Sequence, residues 1–220
     1  MDRRVFIKGA LLGIASGYNP IASAQTEAAG ASTVGLISPD SSFALMGLPT
    51  KASLVSLIDR ARAALDVSPE RFVLRDRIAV ADFSVASSQH RFHIVDLITG
   101  KAVSYLVAHG LGSDPTHSGF LETFSNEPGS EATSEGAYLT SEIYDGTHGA
   151  SMRLIGLDAT NDNADVRAIV VHGAPYVSED HIAIWGKAGR SNGCFAVAPH
   201  LITQVLGLLG PGRLLFAAKA

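Results

Sequence analysis

Arg91-Phe92-His93-Ile94-Val95-Asp96-Leu97 and Ala102-Val103-Ser104-Tyr105-Leu106-Val107-Ala108, joined by Ile98-Thr99-Gly100-Lys101, decide the fold. Each apolar run is the length of one strand and rich in β-branched and aromatic residues. The Thr99-Gly100-Lys101 step between them supplies the residues of a hairpin turn. The same pattern extends outward. Residues 78–83, 137–143, 152–157, 168–171 and 213–217 are further strand candidates, and Ser87-Ser88-Gln89 is a second turn. Helical periodicity occurs over residues 51–65, where Leu54, Val55, Leu57, Ile58, Ala61 and Leu65 share a face opposite Asp59, Arg60 and Arg62. Residues 178–185 and 199–209 give two shorter helices, the second with Pro199 in its first turn and Gly210 past its end. The sum is a mainly β (α+β) domain, mostly antiparallel, with a few short helices.

Before that domain the chain reads differently. Asp2-Arg3-Arg4-Val5-Phe6-Ile7-Lys8, a short weakly apolar stretch and Ala22-Ser23-Ala24 have the layout of a twin-arginine-like export signal over residues 1–24. The apolar stretch is too short for a membrane span. Residues 25–50 are Ala-, Gly-, Ser- and Thr-rich and read as a flexible tether. Residues 51–69 are expected as a helix packed on the domain formed by residues 70–220. An exported chain would work in the periplasm or cell-wall space.

Without residues 1–24 the chain loses Arg3, Arg4, Lys8 and Asp2, which leaves 14 basic and 20 acidic residues and a net charge of −6. No basic run remains to neutralise phosphates, which argues against nucleic acid and against a polybasic membrane surface. The mature chain carries no stable membrane span, and nothing in it sets an oligomeric state.

The chemistry concentrates late in the chain. Cys194 is the single cysteine of 220 residues and lies in Gly189-Arg190-Ser191-Asn192-Gly193-Cys194. In an exported protein a lone thiol has no internal partner, so it is either inert core or a reactive group. On composition alone, Cys194-Phe195-Ala196-Val197 reads first as a buried core strand. The second reading needs a base, and Ile169-Val170-Val171-His172-Gly173 delivers an imidazole at the end of an apolar run. A carbonyl near Gly173 would orient it. Gly193 would permit a tight turn whose N–H groups face a reacting oxygen, with Ser191 and Asn192 as added donors and Arg190 as a positive field.

These residues also resemble a known family. Val171-His172-Gly173 followed by Arg190-Ser191-x-Gly193-Cys194 is similar to the L,D-transpeptidase catalytic domain (YkuD type), in the divergent branch with an Arg-Ser-x-Gly-Cys motif. The likeness extends through Ala108-His109-Gly110, Gly112-Ser113-Asp114-Pro115, Phe124-Ser125-Asn126-Glu127-Pro128-Gly129-Ser130 and Gly136-Ala137-Tyr138. It continues through Tyr144-x-Gly146-x-His148-Gly149-x-Ser151-Met152-Arg153-Leu154 and Arg167-x-Ile169-Val170-Val171-His172-Gly173, covering roughly residues 70–217. The resemblance implies a compact mixed β sandwich or barrel-like domain and no cofactor. It implies Cys194 as nucleophile and His172 as base, with Gly173, Gly193, Asn192 and Ser191 orienting groups or donating to the oxyanion, and Arg190 touching substrate. The substrate would be a peptidoglycan tetrapeptide stem that loses D-Ala to a Cys194 thioester. Transfer to an amine gives L,D-transpeptidation and transfer to water gives L,D-carboxypeptidation. A non-catalytic cell-wall-binding module is the alternative without chemistry. The chain departs from the pattern at Asn192, where the family usually has a second histidine, and at Ala196, where it usually has arginine. Arg190 is the cation expected to compensate.

Other groups carry rival readings. His109, Asp114, His117 and His148 would be the ligands of a zinc hydrolase, but no His-Glu-x-x-His spacing is present. His90 and His93 read as surface strand histidines. Asp158, Asp162 and Asp165 read as a solvated loop, and Trp185 as core.

Overall fold

The apolar runs build one sheet whose two faces bury different partners. In the computed structural model, which describes residues 51–220 and the short strand Ser32–Val34, nine strands occur in the order β1-β4-β3-β2-β9-β5-β6-β7-β8. They are β1 (Ser32–Val34), β2 (Arg77–Asp82), β3 (Phe92–Asp96), β4 (Ala102–Tyr105), β5 (Gly136–Gly146), β6 (Gly149–Gly156), β7 (Val170–Gly173), β8 (Phe195–Val197) and β9 (Leu214–Ala218). Helices α1 (Lys51–Val67), α2 (Glu179–Trp185) and α3 (Ile202–Leu209) accompany them. The sheet is mixed: β2–β9 and β7–β8 are parallel and the other pairs antiparallel. The export signal expected at residues 1–24 lies outside the described residues. Within the stretch expected as tether, Ser32–Val34 pairs with β4, Ser32 opposite Ser104.

Strict alternation divides the core. Ala79 and Ala81 of β2, Phe92 and Ile94 of β3, and Leu215 and Ala217 of β9 face the main core with Tyr138, Met152, Phe195 and α3. Ile78 and Val80, Val95, and Leu214, Phe216 and Ala218 face the other way, under Leu57, Ala61 and Leu65 of α1. Those three lie at i, i+4 and i+8, so a single stripe seals that face. Each leucine of the stripe contributes about 1.5–3 kcal/mol by leaving water. Val55, expected on the stripe, is 40% exposed. The core stripe is therefore narrower than the periodic face.

The C-terminal strand β9 enters between β2 and β5, and Arg213 fixes its entry. Its guanidinium clasps both Asp76 carboxylate oxygens (2.8 and 2.9 Å), and Nη1 donates to Leu209 O at the end of α3. This bidentate pair holds the Asp76 carboxyl below the usual carboxylate range.

Past β4 the chain stays extended and closes the sheet. Ala108 N–H donates to Ala196 O beyond β8's other neighbour, Ser191 N–H donates to His109 O, and Leu111 N–H donates to Ser191 O. A parallel bridge joins Gly110 to Ser191. The sheet thus curls until the continuation of β4 meets β8, which gives the barrel-like form. Closure brings the Arg190–Cys194 segment to the seam.

Candidate active site

β7 and β8 are adjacent and parallel, with His172 opposite Ala196. Side chains in register share a face. Alternation carried back two residues from Ala196 puts Cys194 on the His172 side, away from Val171, Phe195 and Val197 in the main core. His172 thus lies on β7 and Cys194 immediately before the neighbouring strand β8.

His172 is 3% exposed. Its Nδ1 lies 3.0 Å from Gly173 O, so the proton on Nδ1 donates to that carbonyl and Nε2 is the basic nitrogen. One ring face is covered by His148, with centroids 4.3 Å apart and planes at 21°. Burial lowers the imidazole's pKa and His148 lowers it further, while the Gly173 carbonyl opposes both. His172 is a neutral base at pH 7. Gly173 has a packing reason as well: a β-carbon there would sit 3.2 Å from Pro199 Cα, where the chain turns into α3.

Cys194 is half-buried. Its thiol donates to Ala168 O at 3.5 Å and is not hydrogen-bonded to the imidazole in this structure. Burial pushes the thiol's pKa up, opposed by the Val170 N–H and by the charge of Arg167. The resting pair is thus neutral thiol and neutral imidazole, not a preformed ion pair. Ala168 holds a left-handed conformation, φ 51°, at the end of a turn, which helps aim its carbonyl at the sulfur.

The turn before Cys194 depends on glycine. Gly193 has φ 111°, and a β-carbon there would strike Ala132 O at 2.7 Å. Ala132 and Thr133 belong to the long segment 110–136, which is ordered and fastened to this turn. Thr133 Oγ1 donates to Gly193 O (3.3 Å) and accepts from Gly110 N–H (2.9 Å). Arg167 ties the same segment by donating to Ser125 O (2.7 Å) and to Ala132 O.

Two expected site residues, Ser191 and Arg190, have other occupations. Ser191 is buried; its hydroxyl donates to Cys194 O (2.7 Å) and accepts from Gly193 N–H (3.2 Å). Neither group remains for an oxyanion. Arg190 donates to Asp114 O and Pro115 O, so its guanidinium anchors a loop. The cation that acts on the thiol is Arg167, which entered the sequence reading only as part of a matching block. Asn192 is exposed at the rim.

The histidines outside the pair also differ from expectation. His109 lies between elements as a loop residue would, but it is buried, 1% exposed. Arg91, fully buried, donates to His109 Nδ1 (2.7 Å), which leaves Nε2–H to donate to Asp114 Oδ2 (3.2 Å). Burial and then the Arg91 charge push His109 down to about 4. Burial alone would raise Asp114, but the N–H groups of Ser118 and Gly119 hold it below its usual range. Arg91 also donates to Val107 O and Val85 O, so this array braces the seam beneath Ser191. His93, expected at the surface, is 3% exposed and bonded to Ser104 Oγ (2.7 Å). The zinc set does not assemble: His117 meets Ala188 O and His148 meets His172. Among the described residues no group of three His, Cys, Asp or Glu side chains is arranged to hold a metal. Asn161, in the stretch expected as a solvated loop, is fully buried and donates to Ala137 O. Trp185 is 64% exposed rather than core.

The family model of the L,D-transpeptidase catalytic domain matches residues 53–218. No curated protein matches the chain significantly. Among solved structures, similarity is found to an L,D-transpeptidase in complex with imipenem, at 15% identity and TM-score 0.39 over 65% of this chain and 59% of that one. An L,D-transpeptidase from Mycobacterium smegmatis gives 12% identity and TM-score 0.39, covering 66% and 59%. L,D-transpeptidase 1 from Mycobacterium tuberculosis gives 12% and 0.36, covering 66% and 62%. The chain spans about three fifths of the length of these structures. With its family model matched over most of its length, the chain belongs to the L,D-transpeptidase catalytic-domain family.

Proposed function

We propose that this protein is a cysteine-dependent peptidoglycan L,D-transpeptidase acting outside the cytoplasm. The observation that supports the reading is the parallel β7–β8 register, with His172 opposite Ala196 two residues after Cys194, and Gly173 O holding Nδ1. His172 Nε2 then takes the thiol proton as Sγ attacks the carbonyl carbon of the third stem residue. Because the resting thiol is neutral, proton removal and attack are coupled. The oxyanion meets the Cys194 and Asn192 N–H groups, since those of Gly193 and Ser191 are engaged. Collapse of the tetrahedral species breaks the bond to D-Ala, whose amine leaves with the proton from His172. A thioester remains on Cys194. An amine of a neighbouring stem attacks it, His172 accepts the amine proton, and the thiolate leaves and is reprotonated. The product is a 3→3 cross-link. Water in place of the amine would give the L,D-carboxypeptidase outcome.

The test is release of D-Ala from a disaccharide-tetrapeptide, with thermal melts run alongside. The reading expects Cys194→Ala to melt as the parent does and to release no D-Ala. D-Ala release by Cys194→Ala at the parent rate overturns it. A folded parent that binds the muropeptide without turnover supports the wall-binding module instead.

A further inference from the structure

We infer that His148, on the β5–β6 turn, is a positioning residue that sets the ring plane and the charge state of His172. β5 ends at Gly146 and β6 begins at Gly149, and these two glycines are paired, so Thr147 and His148 are the whole turn. β6 then runs beside β7 with Ser151 opposite His172. A short tip on a long two-stranded ribbon is thereby brought over the base. His148 is exposed and His172 buried, so the outer ring roofs the inner one.

Two contacts then restrain the His172 ring. Gly173 O holds Nδ1 at 3.0 Å, and the His148 ring lies 4.3 Å from the His172 ring, nearly parallel to it. The Ser151 hydroxyl, on the strand opposite, is turned back to Gly149 O. Rotation about the outer side-chain torsion would break the carbonyl bond and drive the ring into His148. The groups placed against His172 are thus the Gly173 carbonyl, the His148 ring and, on the paired strand, Ser151, and the titratable partner in ring contact is His148. Two stacked imidazoles do not both hold a proton easily, because like charges repel at this separation. Charge on His148 would oppose charge on His172, the direction in which His148 moves the His172 pKa.

This inference rests on the proposed role of His172 as base, and its test separates the two. His148→Phe keeps a ring to stack and cannot become charged, while His148→Ala removes both. The His172 imidazole is titrated by NMR in the parent and each variant, and kcat and KM are measured over pH. Loss of the stacked charge is expected to raise the His172 midpoint by about half a pH unit or more in both variants. At the alkaline plateau His148→Phe is expected to keep kcat within about twofold, while His148→Ala loses about tenfold in kcat with little change in KM. A purely structural turn residue would not move the titration of a buried neighbour. Parent-like His172 titration in both variants overturns the inference. The NMR readout needs no turnover, so it decides this point even if Cys194→Ala overturns the catalytic reading.

Discussion

Arg167 stands directly against Gly193: its Nη2 would be 3.3 Å from any β-carbon placed there, and its charge lowers the pKa of the adjacent Cys194 thiol. One side chain thus serves as clasp for segment 110–136 and as the positive field at Cys194. Removing the charge is expected to raise the thiol pKa further, so less thiolate is present at a given pH. Iodoacetamide alkylation at pH 8 should slow about three- to tenfold in Arg167→Ala and stay near parental in Arg167→Lys. Equal alkylation profiles for parent and Arg167→Ala would remove Arg167 from the site.

Gly193→Ala meets two obstacles, a left-handed φ and the Ala132 carbonyl at 2.7 Å. The variant is expected to lose about 1–3 kcal/mol of stability and to shift the Cys194 backbone. Denaturant unfolding gives the first quantity. Activity measured well below the unfolding midpoint gives the second, and it should fall more than the folded fraction does. Full stability together with full activity would contradict the described turn.

The buried Arg91 satisfies Val107 O, Val85 O and His109 Nδ1 at once. Arg91→Leu leaves those acceptors unpaired and removes the buried cation that faces Asp82 and Asp114. The expected loss is about 3–5 kcal/mol. Urea unfolding measures it, and a change below about 1 kcal/mol would show that the array is dispensable.

Asp76 gives the pH dependence of stability a definite sign. Its folded-state pKa is depressed, first by the hydrogen bonds from Arg213. The contribution is complete above the ordinary carboxylate value of about 3.9 and is lost as pH falls through the lowered folded-state value. Asp76→Asn is expected to be less stable than the parent at pH 7, and the gap should shrink steadily as pH drops below about 4. Urea midpoints at a series of pH values measure it. A gap independent of pH would assign the effect to packing alone.

Local signals exposed part of this molecule. Apolar runs and turn chemistry locate β2, β3 and β9 to within a residue or two, and the start but not the end of β4, which stops at Tyr105, because these strands are largely buried and turn residues flank them. The α1 stripe shows for the same reason. The mixed character of the sheet does not show, since the parallel β2–β9 pair joins residues more than 130 apart in the chain and no local pattern records that neighbour. β8 is three residues long, too short for a period, and its sequence by itself reads first as core. Ser32–Val34 is held by pairing with β4 and has no pattern of its own.

The site divides along the same line. The sequence exposes His172 and Cys194 because a motif carries them. Arg167 and His148 come from other elements, and the matching blocks that contain them say nothing of where their side chains end. Arg190 looked like the local cation because it is close in sequence, yet the sharp turn at Gly193 leaves it facing Asp114 and Pro115. Burial of His109 follows from sheet closure at the Gly110–Ser191 bridge, a contact across 81 positions that no residue of the segment announces.

The most direct test of the central claim is intact-protein mass spectrometry of the enzyme quenched in acid during turnover of a disaccharide-tetrapeptide. The account predicts a thioester adduct equal to the stem minus D-Ala, mapped to the peptide containing Cys194 and absent from Cys194→Ala. D-Ala release by the parent with no adduct at any time, and the same release from Cys194→Ala, would contradict it.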